Sequence, residues 1–335
     1  MQNPRPYDNL DPHRLLDAIE AVGLHPSGGL LALNSYENRV YQVGMEEGPP
    51  LIAKFYRPGR WSDEAIREDH TYSIELAERE IPVVPPLILQ GETLHHVGEH
   101  RFALFTRQGG RALDFDNAEH MAWIGRFLGR LHAVGGLRRF KQRTNLDVAT
   151  YGYAPYEYLL ANHFIPESIK AEYCTTVTSI LAQIEAQFAA LAPLRTMRLH
   201  GDFHIGNILW NDAGPQIVDM DDCLNGPAIQ DIWMLLTGHD KAHVEIQLQH
   251  ILQGYTEFCD FDYQELQLIE ALRTLRMIRY SGWLAARWED PAFPLHFPWF
   301  NTFSYWREHL DDLKDQAMLM AGNDPASDDW QEEDD

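Results

Sequence analysis

The sequence predicts an α+β fold in two lobes: a β-rich N-terminal lobe over residues 1–107 and an α-rich C-terminal lobe over residues 108–322, with an acidic tail over residues 323–335. Three observations carry this expectation. Alternating apolar runs, the period of half-buried strands, crowd the first part of the chain around one helical stretch. A Gly109–Gly110 break then reads as a linker. Beyond it, apolar residues recur at helical spacing and are interrupted by one short hairpin.

Each element has its own signal. In "LLALNSYENRVYQVG" two alternating runs, Leu30 to Leu33 and Arg39 to Val43, flank a polar turn. "PPLIAKFYRP" adds a third strand bounded by prolines, with Leu51, Ala53 and Phe55 on one face and Ile52, Lys54 and Tyr56 on the other. Ser62 is a good N-cap for a helix with acids in its first turn, which should stop before Pro82. "HRFALFT" forms the last strand before the linker. Past it, Met121, Ile124, Leu128 and Leu131 mark a helix that ends at Gly135–Gly136. Tyr173 to Ala190 is another helix, and Ala228 to Gly238, Ala242 to Cys259 and Asp262 to Trp288 give three more. Between them, Ile208 to Trp210 and Gln216 to Val218 form a hairpin turning through Asn211 to Pro215. No internal repeat is visible, and "NDPASDDWQEEDD" reads as a solvated, disordered tail.

Composition excludes several functions. The 335 residues suffice for real cores, and the formal charge of −23 disfavours nucleic acid and anionic membrane surfaces as partners. Cys174, Cys223 and Cys259 stand apart without a C-x-x-C pair, so neither a disulfide framework nor a thiolate zinc site is suggested. The start lacks the apolar core of a signal peptide, and no apolar run is long enough to span a bilayer. A cytoplasmic monomer is the expectation.

The chemistry concentrates in "RLHGDFHIGNILW", which holds His200, Asp202, His204 and Asn207. His200 and His204 have the i, i+4 spacing of a zinc-binding helix, but that helix would cross Gly201, run straight into a strand and lack an intervening glutamate. Asp202, Asn207 and Asp219 fit phosphoryl transfer better: a base, an asparagine five residues on, and an acid after the next strand. Asn207 and Asp219 are then Mg²⁺ ligands, oxygen donors of the kind that ion takes. A site of this kind also needs a strand lysine for the α/β-phosphates of ATP and a helix carboxylate to hold it. Lys54 fills the first role and Glu68 the second, with Asp69 an adjacent alternative. There is no G-x-G-x-x-G; the Asn34–Asn38 turn, with Ser35 in it, stands in its place over the phosphates. "HGD" replaces H-R-D, Asp219-Met220-Asp221 replaces D-F-G, and no A-P-E segment follows.

These residues resemble the aminoglycoside phosphotransferase and choline kinase superfamily, whose fold is that of protein kinases. More narrowly, "LNSYENRVYQV", "AKFYRPGRW", "HGDFHIGNILW", "VDMDDCLNGPAIQDIWMLL" and "RWEDPAFPLHFPW" look like the stress response kinase A family, from Leu33 to Trp299. The resemblance implies a bilobal kinase-like fold and a cytoplasmic serine/threonine protein kinase that uses ATP and Mg²⁺. It further implies a link to envelope and oxidative stress and to suppression of programmed cell death. By position it makes Asp202 the catalytic base, Asn207 and Asp219 the metal ligands, Lys54 and Glu68 the phosphate-holding pair, and Ser35 a residue over the phosphates. Adenine is then expected near Ala103 to Thr106, His200 as a prop of the loop, and His204 without a defined role. The acceptor is expected to be protein, including the chain itself. A kinase of a small alcohol or amine shares the same site, and a nucleotide-sensing pseudokinase is disfavoured because Lys54, Asp202, Asn207 and Asp219 are all retained.

Overall fold

A computed structural model describes residues 6–113, 117–212, 214–238 and 241–322. The expected acidic tail lies outside the described residues. The alternation seen near the N-terminus is realised as antiparallel strands β1 (Pro26–Leu33), β2 (Arg39–Met45) and β3 (Leu51–Tyr56). They continue through β5 (His100–Thr106) to the short edge strand β4 (His95–Val97), in the order β1-β2-β3-β5-β4. One face buries Ala53 and Phe55 with Phe102, whose ring stacks on Phe55 at 5.2 Å. Helix α1 (Pro12–Ala21) closes that face with Leu15, Ala18 and Ile19. It was not anticipated, although Asp11 caps it by accepting from the Arg14 amide and Pro12 opens it. The other face carries Lys54 and Tyr56, and packs Tyr56 and Ala103 against Ile66 of α2 (Asp63–Glu78). Helix α2 starts as expected, with the Ser62 hydroxyl accepting from the Ala65 amide.

The rest of the chain is helical around one hairpin, so the α+β class read from the sequence holds. Strands β8 (Ile208–Asn211) and β9 (Gly214–Ile217) form the hairpin, extended by β6 (Arg111–Ala112). The longer helices are α3 (Ala118–Gly135), α4 (Ala154–Ala161), α5 (Glu167–Ala190), α7 (Lys241–Tyr255), α8 (Ile269–Ala285) and α10 (Phe303–Met320). The helix expected over residues 228–238 shortens to α6 (Ile229–Trp233), and a 3₁₀ turn at Tyr263–Leu268 precedes α8. Helix α10 and the short α9 (Ala292–His296) were not anticipated.

The chain forms two compact units. The first comprises residues up to Arg143, Met197–Asn225 and Asp231–Phe261. Its helical part rests on α3 against α7, whose backbones come within contact because glycines line the crossing. A Cβ on Gly125 would lie 2.1 Å from the Ile251 carbonyl oxygen, one on Gly129 2.4 Å from that of Tyr255, and one on Gly254 1.9 Å from that of Ala122. The second unit comprises Thr144–Thr196, Gly226–Gln230 and residues from Asp262 onward. There α5, α8 and α10 enclose Tyr173, Trp306 and Leu310, with Tyr173 packed edge-on to Trp306.

Candidate active site

The short strand β7 (Met197–Leu199) delivers the chain to the 200–207 loop, and a buried carboxylate fixes how the loop leaves it. Asp231, at the start of α6, accepts from the amides of His200 and Gly201, each at 2.8 Å. His132 of α3 donates to the same carboxylate at 3.0 Å through Nε2, while its Nδ1 accepts from the Tyr255 hydroxyl of α7 at 3.0 Å. All three side chains are buried, so the loop hangs from the α3–α7 pair through one continuous set of hydrogen bonds. Gly201 explains the departure from H-R-D. Its φ is +84°, and a Cβ would meet the Asp222 carbonyl oxygen at 2.2 Å, so no side chain fits.

Within the loop each polar side chain has a place. The His200 ring, fully buried, donates to the Val218 carbonyl at 3.0 Å and accepts from the Asp202 amide at 3.3 Å, which makes it a prop. His204 Nδ1 accepts from the Gly206 amide, so its proton sits on Nε2, 3.5 Å from the Asp202 carboxylate. The residue without a defined role is thus a neighbour of the Asp202 carboxylate. Asn207 donates its Nδ2 to the Asp202 carbonyl at 2.9 Å. The Val218 amide bonds the Asn207 carbonyl at 3.0 Å, so the hairpin returns Asp219 to the side of Asn207. Asp219 itself occupies the left-handed region, at φ 64° and ψ 62°. Such a conformation costs a non-glycine residue about 1–3 kcal/mol and recurs where function dictates side-chain direction.

Lys54 reaches into this loop from β3, opposite Ala103 of β5. Its Nζ lies 2.8 Å from both the Asp219 and the Asp221 carboxylates. Burial opposes the charge, but the two carboxylates outweigh it and push the ammonium pKa above the ordinary lysine range. Glu68, expected as the lysine's partner, is not brought to it. Its carboxylate accepts from the amides of Lys141, Gln142 and Arg143 at 2.7, 2.7 and 3.2 Å, and so caps that turn. Asp69, the adjacent acid, is the one turned inward toward Lys54, Arg143 and Asp221, and the Ser73 hydroxyl donates to it. Burial raises its carboxyl to about 7 against the lowering effect of Arg143.

Ser35 sits half-buried in the 34–38 turn, but other residues anchor that turn. Asn38 donates to Asp221 and accepts from the Arg57 amide at 3.1 Å. Glu37 faces Arg57 at 3.7 Å and Arg60 at 4.0 Å, and Arg60 in turn pairs with Asp222 at 2.6 Å. Arg143 donates to the Asp221 and Cys223 carbonyls and lies 3.9 Å over the Trp61 ring. Sequence reasoning missed Asn38, Asp221, Arg143, His132 and Asp231. Asp231 did carry a signal, since an acid inside the apolar run "IQDIWMLL" must have a partner if buried.

The donors present fit a hard divalent cation. Among the described residues no group of three or more His, Cys, Asp or Glu residues forms a metal cage. The Asn207 amide oxygen and the Asp219 carboxylate are instead the kind of small oxygen set that Mg²⁺ completes with water and phosphate.

An aspartate and an asparagine on an anchored loop, an acid returned beside them by a hairpin, and a strand lysine meeting that acid form the layout of a kinase-type phosphotransferase. The chain belongs to the phosphotransferase enzyme family, whose model matches residues 30–269, and within it to the stress response kinase A group. Stress response kinase A of Salmonella choleraesuis is 42% identical over 315 residues, 94% of each chain. That of Escherichia coli K12 is 41% identical over 315 residues, again 94% of each. A Salmonella typhimurium relative, also 42% identical over 315 residues and 94% of each chain, is named serine/threonine protein kinase RdoA. Among solved structures, amicoumacin kinase hAmiN with AMP-PNP, Ca²⁺ and Ami superposes with a TM-score of 0.68 at 21% identity, covering 91% of this chain and 94% of that one. A microcompartment-associated aminopropanol kinase gives 0.69 at 16% identity, covering 92% and 98%. These two likenesses concern the fold. Together with the family they make the chain a kinase of the protein-kinase-like fold.

Proposed function

We propose that this kinase is an ATP- and Mg²⁺-dependent serine/threonine protein kinase of the bacterial stress response, transferring the γ-phosphate of ATP to protein hydroxyls. The observation that carries the nucleotide half is the 2.8 Å contact between Lys54 and Asp219, which joins the phosphate-holding lysine to the metal-side acid. The protein acceptor rests on relatives at 41–42% identity named as stress response and serine/threonine protein kinases. In this scheme residues 1–107 cover the nucleotide, with adenine near Ala103 to Thr106, and residues 108–322 supply the reacting groups.

Asp202 takes the proton of the acceptor hydroxyl as the oxygen attacks phosphorus, with His204 Nε2–H 3.5 Å from its carboxylate. Lys54 neutralises the α/β-phosphates, and the 34–38 turn with Ser35 lies over them. Asn207 and Asp219 would hold Mg²⁺, which when bound supplies charge neutralisation at the phosphates. We place the reaction in the cytoplasm and on a monomer. No helix among the described residues is long and apolar enough to cross a membrane, and Cys174, Cys223 and Cys259 carry free thiols.

A kinase of a small alcohol or amine is the second reading, favoured by the fold neighbours named as amicoumacin and aminopropanol kinases. One experiment separates them. Purified protein with Mg²⁺ and γ-labelled ATP is expected to label itself or a general protein substrate. Asp202→Ala should lower that rate by roughly 10²-fold or more while nucleotide affinity stays near wild type. Equal labelling by both proteins removes Asp202 from its role, and labelling of small alcohols alone selects the second reading.

A further inference from the structure

Lys54 has two carboxylate partners, and the kinase reading leaves it only one. If Asp219 serves the metal, Asp221 is the remaining contact, at 2.8 Å, with both side chains buried. Glu68 of α2 does not replace it. Glu68 is committed to three backbone amides, and Asp69 is bonded by Ser73 and faces Arg143 as well as Lys54. Asp221 has a second connection. The oxygen that does not meet Lys54 takes the Asn38 amide, whose own oxygen is occupied by the Arg57 N–H, so the Asn38 orientation is defined. Arg143 fixes the Asp221 backbone through its carbonyl.

We infer that Asp221, rather than Glu68 of α2, is the positioning residue that holds both Lys54 and the 34–38 turn in place for the nucleotide phosphates. The inference rests on the kinase reading above. One carboxylate, that of Asp221, bridges residues 38 and 54 and couples the lysine to the turn, so loss of the bridge frees both at once. This is a KM device more than a chemical one, since Asp221 touches neither the hydroxyl nor the transferred phosphoryl group.

The test uses the full chain and reads nucleotide affinity directly, by calorimetry with Mg·ADP, beside KM for ATP and kcat. Asp221→Asn should raise KM for ATP on the order of tenfold or more, with a matching loss of Mg·ADP affinity. Asn38→Ala keeps Lys54 paired and should raise KM by about threefold with little change in kcat. Glu68→Gln should stay within about twofold of wild type on every nucleotide readout, because Glu68 meets only the 141–143 turn. Far-UV circular dichroism checks folding, and if Asp221→Asn does not fold, Asn38→Ala decides alone. Wild-type KM and affinity in both the Asp221 and Asn38 variants overturn the inference. So does a Glu68→Gln defect equal to that of Asp221→Asn, or a fall in kcat at unchanged KM. A wild-type chain that binds no Mg·ADP overturns the kinase reading itself.

Discussion

Gly201 shows how tightly single positions are constrained here. Its φ of +84° strains any L-residue, and a Cβ would lie 2.2 Å from the Asp222 carbonyl oxygen on the turn after Asp219. Gly201→Ala should therefore cost about 2–4 kcal/mol and slow turnover at least tenfold, as its backbone moves the adjacent Asp202. A denaturant midpoint and a kcat measured on the same preparation check both halves, and a wild-type kcat would refute the link to Asp202. At this scale the sequence was informative where chemistry fixes spacing. Asp202, Asn207 and Asp219 were legible because a five-residue step and a hairpin leave few alternatives, and Lys54 because strand alternation put it on a face. Glu68 was misplaced because consecutive helix residues differ by about 100°, and the strip facing Lys54 is set by how α2 seats on the sheet. Asn38 and Asp221 meet across 183 positions, a pairing that no local pattern encodes.

Among the elements, α6 has an unusual start. The Ile229 amide donates to Glu265 at 2.9 Å, from the 3₁₀ turn before α8, and that carboxyl is almost fully buried. Burial raises it from 4.5 to about 7. The folded state thus keeps the Glu265 proton to higher pH than the unfolded chain does. Its contribution to stability is complete below about pH 4.5 and is lost as pH rises to about 7, on the order of 3 kcal/mol in all. Glu265→Gln should remove that slope, so urea titrations of wild type and variant should diverge across this window and run parallel above it. Parallel curves throughout would contradict the raised value. Elements with a cap and a clean period, such as α2 after Ser62 and α3 before Gly136, were readable in advance. Helix α1 was overlooked behind its proline-rich entry. The 228–238 stretch looked longer than α6 because its apolar run serves burial beyond the last helical turn, with Met234 and Leu235 still in the core.

For the whole molecule, the charge of −23 adds a long-range preference to the local chemistry. Acidic surfaces steer cationic partners and lose that effect on screening. With peptide acceptors, kcat/KM for a Lys/Arg-flanked sequence should fall severalfold between about 50 and 500 mM NaCl, while a neutral sequence changes little. Equal salt sensitivity for both would remove charge from acceptor choice. The glycine crossing of α3 and α7 also reaches further than packing. Gly129 presses on the backbone of Tyr255, Tyr255 bonds His132, His132 bonds Asp231, and Asp231 holds the amides that launch the 200–207 loop. The seam is thus a lever as well as a joint. A single methyl group added at its far end would arrive at Asp202 as a change of aim.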